Sequence, residues 1–191
     1  LDLNNWTGIN NNYITYLDNK IQLIKSNAIY RIKNDFNIEE TNHIDIKAPN
    51  ITLDGQNHIG TYVSQSASNF NGLVQMLETQ NGNITVKNIK VMMDGANRPT
   101  LNTTRGWVVG GAFGQGGSSD SRYVIENCSS NGNISKYSGG VIGYRLNYWS
   151  SATTIVRRCY STGDQTSTHS GGIIGWFSSN GKTNNNTNGT L

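Results

Sequence analysis

The sequence predicts an all-β solenoid with a unit of about 30 residues, and three observations carry that prediction. A glycine motif returns along the chain, a short apolar strand motif returns beside it, and the composition favours turns and ladders over helices. Among 191 residues there are 28 Asn and 22 Gly but only 2 Pro. With 35% hydrophobic residues and a mean hydropathy of −0.51, the chain is poor in material for one thick core. At 14% charged residues it also lacks the composition of a disordered segment.

The glycine motif reads "GGAFG" at 110–114, "GGVIG" at 139–143 and "GGIIG" at 171–175, with a degenerate copy "NGLVQ" at 71–75. The intervals are 39, 29 and 32 residues. The strand motif reads "NITLDGQ" (50–56), "NITVKNI" (83–89), "RYVIENC" (122–128) and "TTIVRRC" (153–159). From Leu53 to Val86 to Ile125 to Val156 its intervals are 33, 39 and 31. Each series lengthens once, so a single insertion around "ANRPTLNTTR" (96–105) accounts for both and is expected to stand out as a loop.

The strand segments are short and have period two, which argues against helical repeats. Ile84, Val86, Ile89 and Val91 are apolar, with Thr85, Lys87 and Lys90 between them. Stacking such segments pairs each strand with its equivalent one coil away, about 4.8 Å distant. The product is a parallel β-helix. Leu53, Val86, Ile125 and Val156 are expected in one inward column. Gly111, Gly140 and Gly172 are expected in another, at a corner with no room for a Cβ. The same register stacks Asn88 over Asn127 as a side-chain amide ladder. It also lines up Asp54, Lys87, Glu126 and Arg157 outward in alternating sign, each exposed pair contributing ~0–1 kcal/mol. Cys128 and Cys159 fall in register too, either as a buried pair of small apolar residues or as a disulfide between coils.

The pattern "GGxxG … NCxSxG … GGIIG" resembles the glycine-rich GLUG-type repeats of bacterial surface adhesins and similar repeat proteins of large DNA viruses. Upstream, "NAIYRIKNDFNI … IDIKAPNITLDGQNHI" (27–59) is similar to the first coils of pectate-lyase-like β-helices. Together these cover most of residues 27–178. The resemblance implies a right-handed, three-faced coil, and a place on a virion or cell surface.

Along the chain, residues 1–26 read as an N-terminal cap. Ile14, Leu17, Ile21 and Ile24 there have helical spacing, and a first coil needs its edge covered. Coils follow over 27–178. The polar stretch 179–191 reads as a tail or a truncated next coil. Leu1 in place of Met suggests a processed or excised chain. A formal charge of +3 without a Lys/Arg stripe argues against nucleic acid, and no apolar run has the length of a membrane span.

An enzyme of this fold would need two carboxylates flanking a glycosidic bond, or an acid cluster holding calcium with a basic residue nearby. The 12 acids are instead spread singly, and the adjacent pair Glu39-Glu40 falls in a predicted loop. Asp54 is the best single candidate, but "LDG" is more simply a corner in which Asp accepts backbone hydrogens. His43, His58 and His169 lack the spacing of a zinc site, so no metal or cofactor is expected. "GQGGSSDS" (114–121) lacks the Lys-Ser/Thr ending and following helix of a phosphate loop. The aromatics Trp107, Tyr144, Tyr148, Trp149, Trp176 and Phe177 cluster around the glycine motifs. They suit internal packing, a surface for another protein chain, or a platform for sugar rings. Tyr144, Trp149, Trp176 and Phe177 are the candidate binding residues. The sequence thus reads as a non-enzymatic structural or adhesive module acting through protein contacts. A polysaccharide lyase or hydrolase, or a carbohydrate-binding module, is the alternative.

Overall fold

The computed structural model describes residues 1–4, 11–95 and 98–176, together with the backbone of 183–186. Every regular element among them is a strand. The first two, β1 (Ile14–Leu17) and β2 (Lys20–Leu23), form an antiparallel hairpin pairing Ile14 with Leu23 and Leu17 with Lys20. The residues between them, Asp18 and Asn19, have φ of 49° and 60°, as a two-residue type I′ turn requires. This hairpin replaces the helix suggested by the spacing of Ile14, Leu17, Ile21 and Ile24. Leu17 and Ile24 are exposed, so those four apolar residues never formed one buried stripe.

From β2 onward the chain visits three sheets in rotation. β3 (Ala28–Arg31) opens the second sheet, β4 (Phe36–Ile38) the third, and β5 (His43–Ile46) returns to the first beside β2. β6 (Ile51–Asp54), β7 (Ile59–Tyr62) and β8 (Val74–Gln75) repeat the circuit. The second and third sheets then gain β9 (Asn83–Lys87) and β10 (Lys90–Met93), followed by β11 (Arg122–Glu126) and β12 (Ser129–Ser130). β13 (Thr153–Arg157), β14 (Tyr160–Ser161) and β15 (Thr183–Asn186) complete them. Every strand pairing after the hairpin is parallel. In the first sheet, beyond β8, pairing thins to isolated bridges joining Val74, Val109, Ile142 and Ile174.

The expected strand column is present. Leu53 pairs with Val86, Val86 with Ile125, and Ile125 with Val156, and all four side chains are buried. Burial alternates along β6, β9 and β11, putting their intervening residues outside, whereas β5 is buried at all four positions; buried apolar residues from all three sheets form one core cluster. At the corner after this column, Asn88 and Asn127 take φ of 57° and 51°. Asn127 Nδ2 donates to Asn88 Oδ1 at 2.7 Å, and Asn88 Nδ2 to Asp54 Oδ1 at 2.8 Å. Asn tolerates the left-handed conformation better than most residues, and its amide can donate one way and accept the other. A ladder therefore runs through the corner. On the outward side Lys87 pairs with Asp54 at 3.4 Å and Arg157 with Glu126 at 2.6 Å.

The glycine register differs from the sequence reading. Gly106 bridges Gly139, and Gly139 bridges Gly171; Val109, Ile142 and Ile174 match in the same way. The true first copy is "GWVVG" at 106–110, not "GGAFG" at 110–114. Trp107 stands where Gly140 and Gly172 stand, and this large residue in a glycine position hid the copy. Gly111 consequently lies beside Tyr144, not Gly140. The 96–105 segment is corrected as well. Thr100 bridges Asn133, Thr104 N–H donates to the Lys136 carbonyl at 3.3 Å, and Leu101 is buried. From Arg98 on, this segment continues the stacking and does not stand away as a loop; Ala96 and Asn97 lie outside the described residues.

Candidate functional site

The aromatic residues flank the glycine motifs on both sides, and the chain's turn brings them together. Thr104, Tyr137 and His169 occupy equivalent places in successive circuits, linked by Thr104 N–H to the Lys136 carbonyl and Tyr137 N–H to the His169 carbonyl. All three have left-handed φ, at 72°, 62° and 62°. Such a backbone costs a non-glycine residue on the order of 1–2 kcal/mol, so the surrounding structure must impose it. A second set of equivalent places is occupied by Gly111, Tyr144 and Trp176. Tyr144 N–H donates to the Thr104 carbonyl, and Trp176 N–H to the Tyr137 carbonyl.

Four rings from two circuits therefore meet. Tyr137 and Trp176 stack with centroids 5.0 Å apart and an interplanar angle of 29°; Tyr144 and Trp176 lie 6.5 Å apart at 26°. His169 packs against Tyr137 and edge-on to Trp176, each at 5.7 Å. Cations flank the group: Lys136 Nζ sits 4.8 Å from the Tyr137 centroid, and the Arg145 guanidinium 4.8 Å from Tyr144. Arg145 also lies 4.9 Å from Tyr148, whose ring packs on Trp149 at 4.8 Å. Ring–ring pairs of this kind contribute about 0.5–1.5 kcal/mol beyond their buried area, and cation–π contacts about as much. Trp149 is 68% exposed and Trp176 43%.

Of the sequence candidates, the structure brings Tyr144 and Trp176 into one cluster and links Trp149 to it through Tyr148 and Arg145. Phe177 lies outside the described residues. Trp107 separates from the rest: it is fully buried against Tyr62 and Phe70. Sequence reasoning missed Tyr137, His169, Lys136 and Arg145. The signal was present in "YSGG" (137–140) and "HSGG" (169–172), where a ring stands at the same offset before each glycine pair.

The other candidates have structural partners. Burial works against the charge on Asp54, but Asn88, the Gln56 N–H and Lys87 together hold its carboxyl below the usual range. Glu40 accepts from the Asn69 N–H at 2.8 Å and from the Ser66 and Ser68 hydroxyls, tying down the segment before Phe70. His43 is buried, with Nδ1 3.0 Å from the Gly72 carbonyl, and burial lowers its pKa. Cys128 and Cys159 are free, buried thiols at adjoining places, and burial holds the Cys128 thiol well above its ordinary value. Among the described residues no group of three His, Cys, Asp or Glu side chains could hold a metal ion. Nor is any helix there long and apolar enough to cross a membrane.

One pair of carboxylates does come together, against the reading that all acids stand singly. Lys47 Nζ lies 3.7 Å from Asp45 Oδ2 and 2.8 Å from Glu78 Oε1. Lys47 thus sits between them, and Asp45 is buried, so the pair does not flank an open groove. Burial pushes the Asp45 carboxyl up, although the Leu77 N–H and Lys47 favour its charge. An acid whose folded pKa is raised withdraws stability as pH climbs from its unfolded value through its folded one. Asp45→Asn keeps an acceptor for Leu77 and removes the buried charge. It is expected to melt at a higher temperature than the parent at pH 7. The gap should close as pH falls below the carboxylate range, as thermal melts across pH would show.

No family model, curated protein or solved structure matches this chain.

Proposed function

We propose that the chain is a right-handed parallel β-helix serving as a non-enzymatic structural or adhesive module of a surface or virion protein. The rotation through three sheets and the in-register columns support the fold; the external aromatic–cationic cluster carries the function. A solenoid has no need of bulky rings at left-handed corner positions, where Gly or Asn is cheaper. Thr104 and Gly111 fill the equivalent places one circuit earlier without any ring. The later pairs, Tyr137 with Tyr144 and His169 with Trp176, build a surface of the composition found at binding hot spots: Tyr, Trp and Arg. Its partner in this reading is another protein chain, which includes a second copy of this one.

Against an enzyme stand the occupied carboxylates of Asp54 and Glu40 and the lysine-filled space between Asp45 and Glu78. Analytical ultracentrifugation at rising concentration tests the contact role. The parent is expected to self-associate, with Tyr137→Ala and Trp176→Ala each weakening association. A strictly monomeric parent that releases reducing sugar from a polysaccharide, with activity lost in Asp54→Ala, would establish the enzymatic reading instead.

A further inference from the structure

The segment 111–117 runs in register beside 144–150. Ala112 N–H donates to the Tyr144 carbonyl at 2.7 Å, Gly116 N–H to the Tyr148 carbonyl at 3.1 Å, and Asn147 N–H to the Phe113 carbonyl at 2.8 Å. Phe113 and Leu146 are the shared inward residues, both buried. On the outward side the two segments differ sharply in bulk. Tyr144, Arg145, Tyr148 and Trp149 in one face Gly111, Ala112, Gln115 and Gly116 in the other. The missing side chains leave a recess of about 400 Å³, within the size range of small-molecule sites.

Its walls are well defined. Trp149 forms one side, with most of its surface open to solvent and its ring braced on Tyr148. Leu77 forms another, also largely exposed, its backbone fixed by the bond from its N–H to Asp45. Thr79 ties that wall to the floor, its hydroxyl donating to the Gln115 carbonyl at 2.5 Å. A methyl on Gly116 would meet only Thr79 Oγ1, at 3.6 Å, so the space above this residue is open. No ionisable side chain lines the recess among the described residues. The polar groups it offers are uncharged: the Gln115 amide, the Thr79 hydroxyl and backbone.

We propose that this recess binds a neutral hexopyranose unit of a glycan chain, its ring stacked on the Trp149 indole. The electron-rich face of the indole attracts the weakly positive C–H face of a pyranose. The hydroxyls at the sugar's rim require uncharged hydrogen-bonding groups, which Gln115 and Thr79 supply. A charged ligand would find no counter-charge on the walls. Because the indole is already held in place, little conformational entropy is lost on binding. The recess shares no lining residue with the Tyr137–Trp176 ring stack, to which Trp149 is joined, among the described residues, only through Tyr148 and Arg145, so sugar binding and self-association can be tested apart.

Isothermal titration calorimetry and tryptophan fluorescence on the full chain test it. The probes are cello-, malto-, manno- and laminari-oligosaccharides, with polygalacturonate and a mixed peptide library as the charged and peptidic controls. At least one neutral oligosaccharide should saturate and change the emission. Trp149→Ala, at an exposed position where the fold should survive, should weaken binding by about tenfold or more. Gln115→Ala should weaken it less, and Ile29→Ala, at an exposed position that does not line the recess, should leave it unchanged. The proposal is overturned if none of the neutral oligosaccharides binds, if Trp149→Ala with an unaltered circular dichroism spectrum binds as well as the parent, or if only polygalacturonate or peptides bind.

Discussion

Gly139→Ala is expected to destabilise the fold by about 3 kcal/mol or more, the upper end of what overpacking costs. The added methyl would collide with the Ile142 carbonyl oxygen and the Gly175 amide nitrogen. Both are backbone atoms, and they are bonded to each other: Gly175 N–H donates to the Ile142 carbonyl at 2.9 Å. Neither can retreat without opening that bond and disturbing the bridges from Gly139 to Gly106 and Gly171. The φ of Gly139 is not left-handed, so the penalty is crowding and not backbone preference. Gly95 supplies the contrast. Its φ is +80° and nothing lies within 4 Å of the Cβ position, so Gly95→Ala should cost only on the order of 1 kcal/mol. Urea denaturation of the two variants separates the mechanisms. Equal losses would show that the glycine column is not sterically enforced.

That column also shows where the sequence could be read and where it misled. The strand columns were legible because period-two alternation of β-branched residues has one consistent inward solution, and a slip of one residue would expose it. Asn88 and Asn127 were legible for the same reason, since they follow those strands at a fixed offset. The glycine register was not legible, because resemblance among short motifs favoured "GGAFG" over the structurally equivalent "GWVVG". The backbone bridges from Gly106 to Gly139 and from Val109 to Ile142 decide between them. At the N-terminus, four apolar residues at helical spacing outweighed the Asp18-Asn19 dipeptide, a turn signal that both residues honour with positive φ. Two of those four face solvent, which spacing alone does not reveal. The aromatic cluster was half legible. Tyr144 and Trp176 follow the glycines directly, whereas Tyr137 and His169 come from the other side of the same corner and meet them only once the chain has turned. The buried charge on Asp45 had no sequence signature, since it depends on contacts with Leu77, 32 residues further along the chain.

Trp107→Ala should cost about 3–5 kcal/mol, the range for removing a large buried aromatic. The indole is completely buried, its ring 5.2 Å from Tyr62 and 5.5 Å from Phe70, and its Nε1–H donates to the Asn133 carbonyl at 3.2 Å. Its equivalents in the next two circuits, Gly140 and Gly172, have no side chain, so this one residue fills space that other circuits leave to backbone. Gly132 shows how closely the neighbours accommodate it, since a methyl there would overlap the indole. The resulting cavity would be walled partly by bridged backbone, which cannot collapse inward as loosely held side chains can. Trp107→Phe should lose less, because the Asn133 carbonyl still accepts from the Leu101 N–H at 3.2 Å and only volume is missing. Trp149→Ala, at an exposed position, should stay within about 0.5 kcal/mol of the parent. Urea midpoints and slopes for the three variants rank them. If Trp107→Ala proved as mild as Trp149→Ala, the assignment of Trp107 to the interior would be wrong. The "GWVVG" register, which rests on the Gly106–Gly139 and Val109–Ile142 bridges and carries Trp107 inward, would then lose that support.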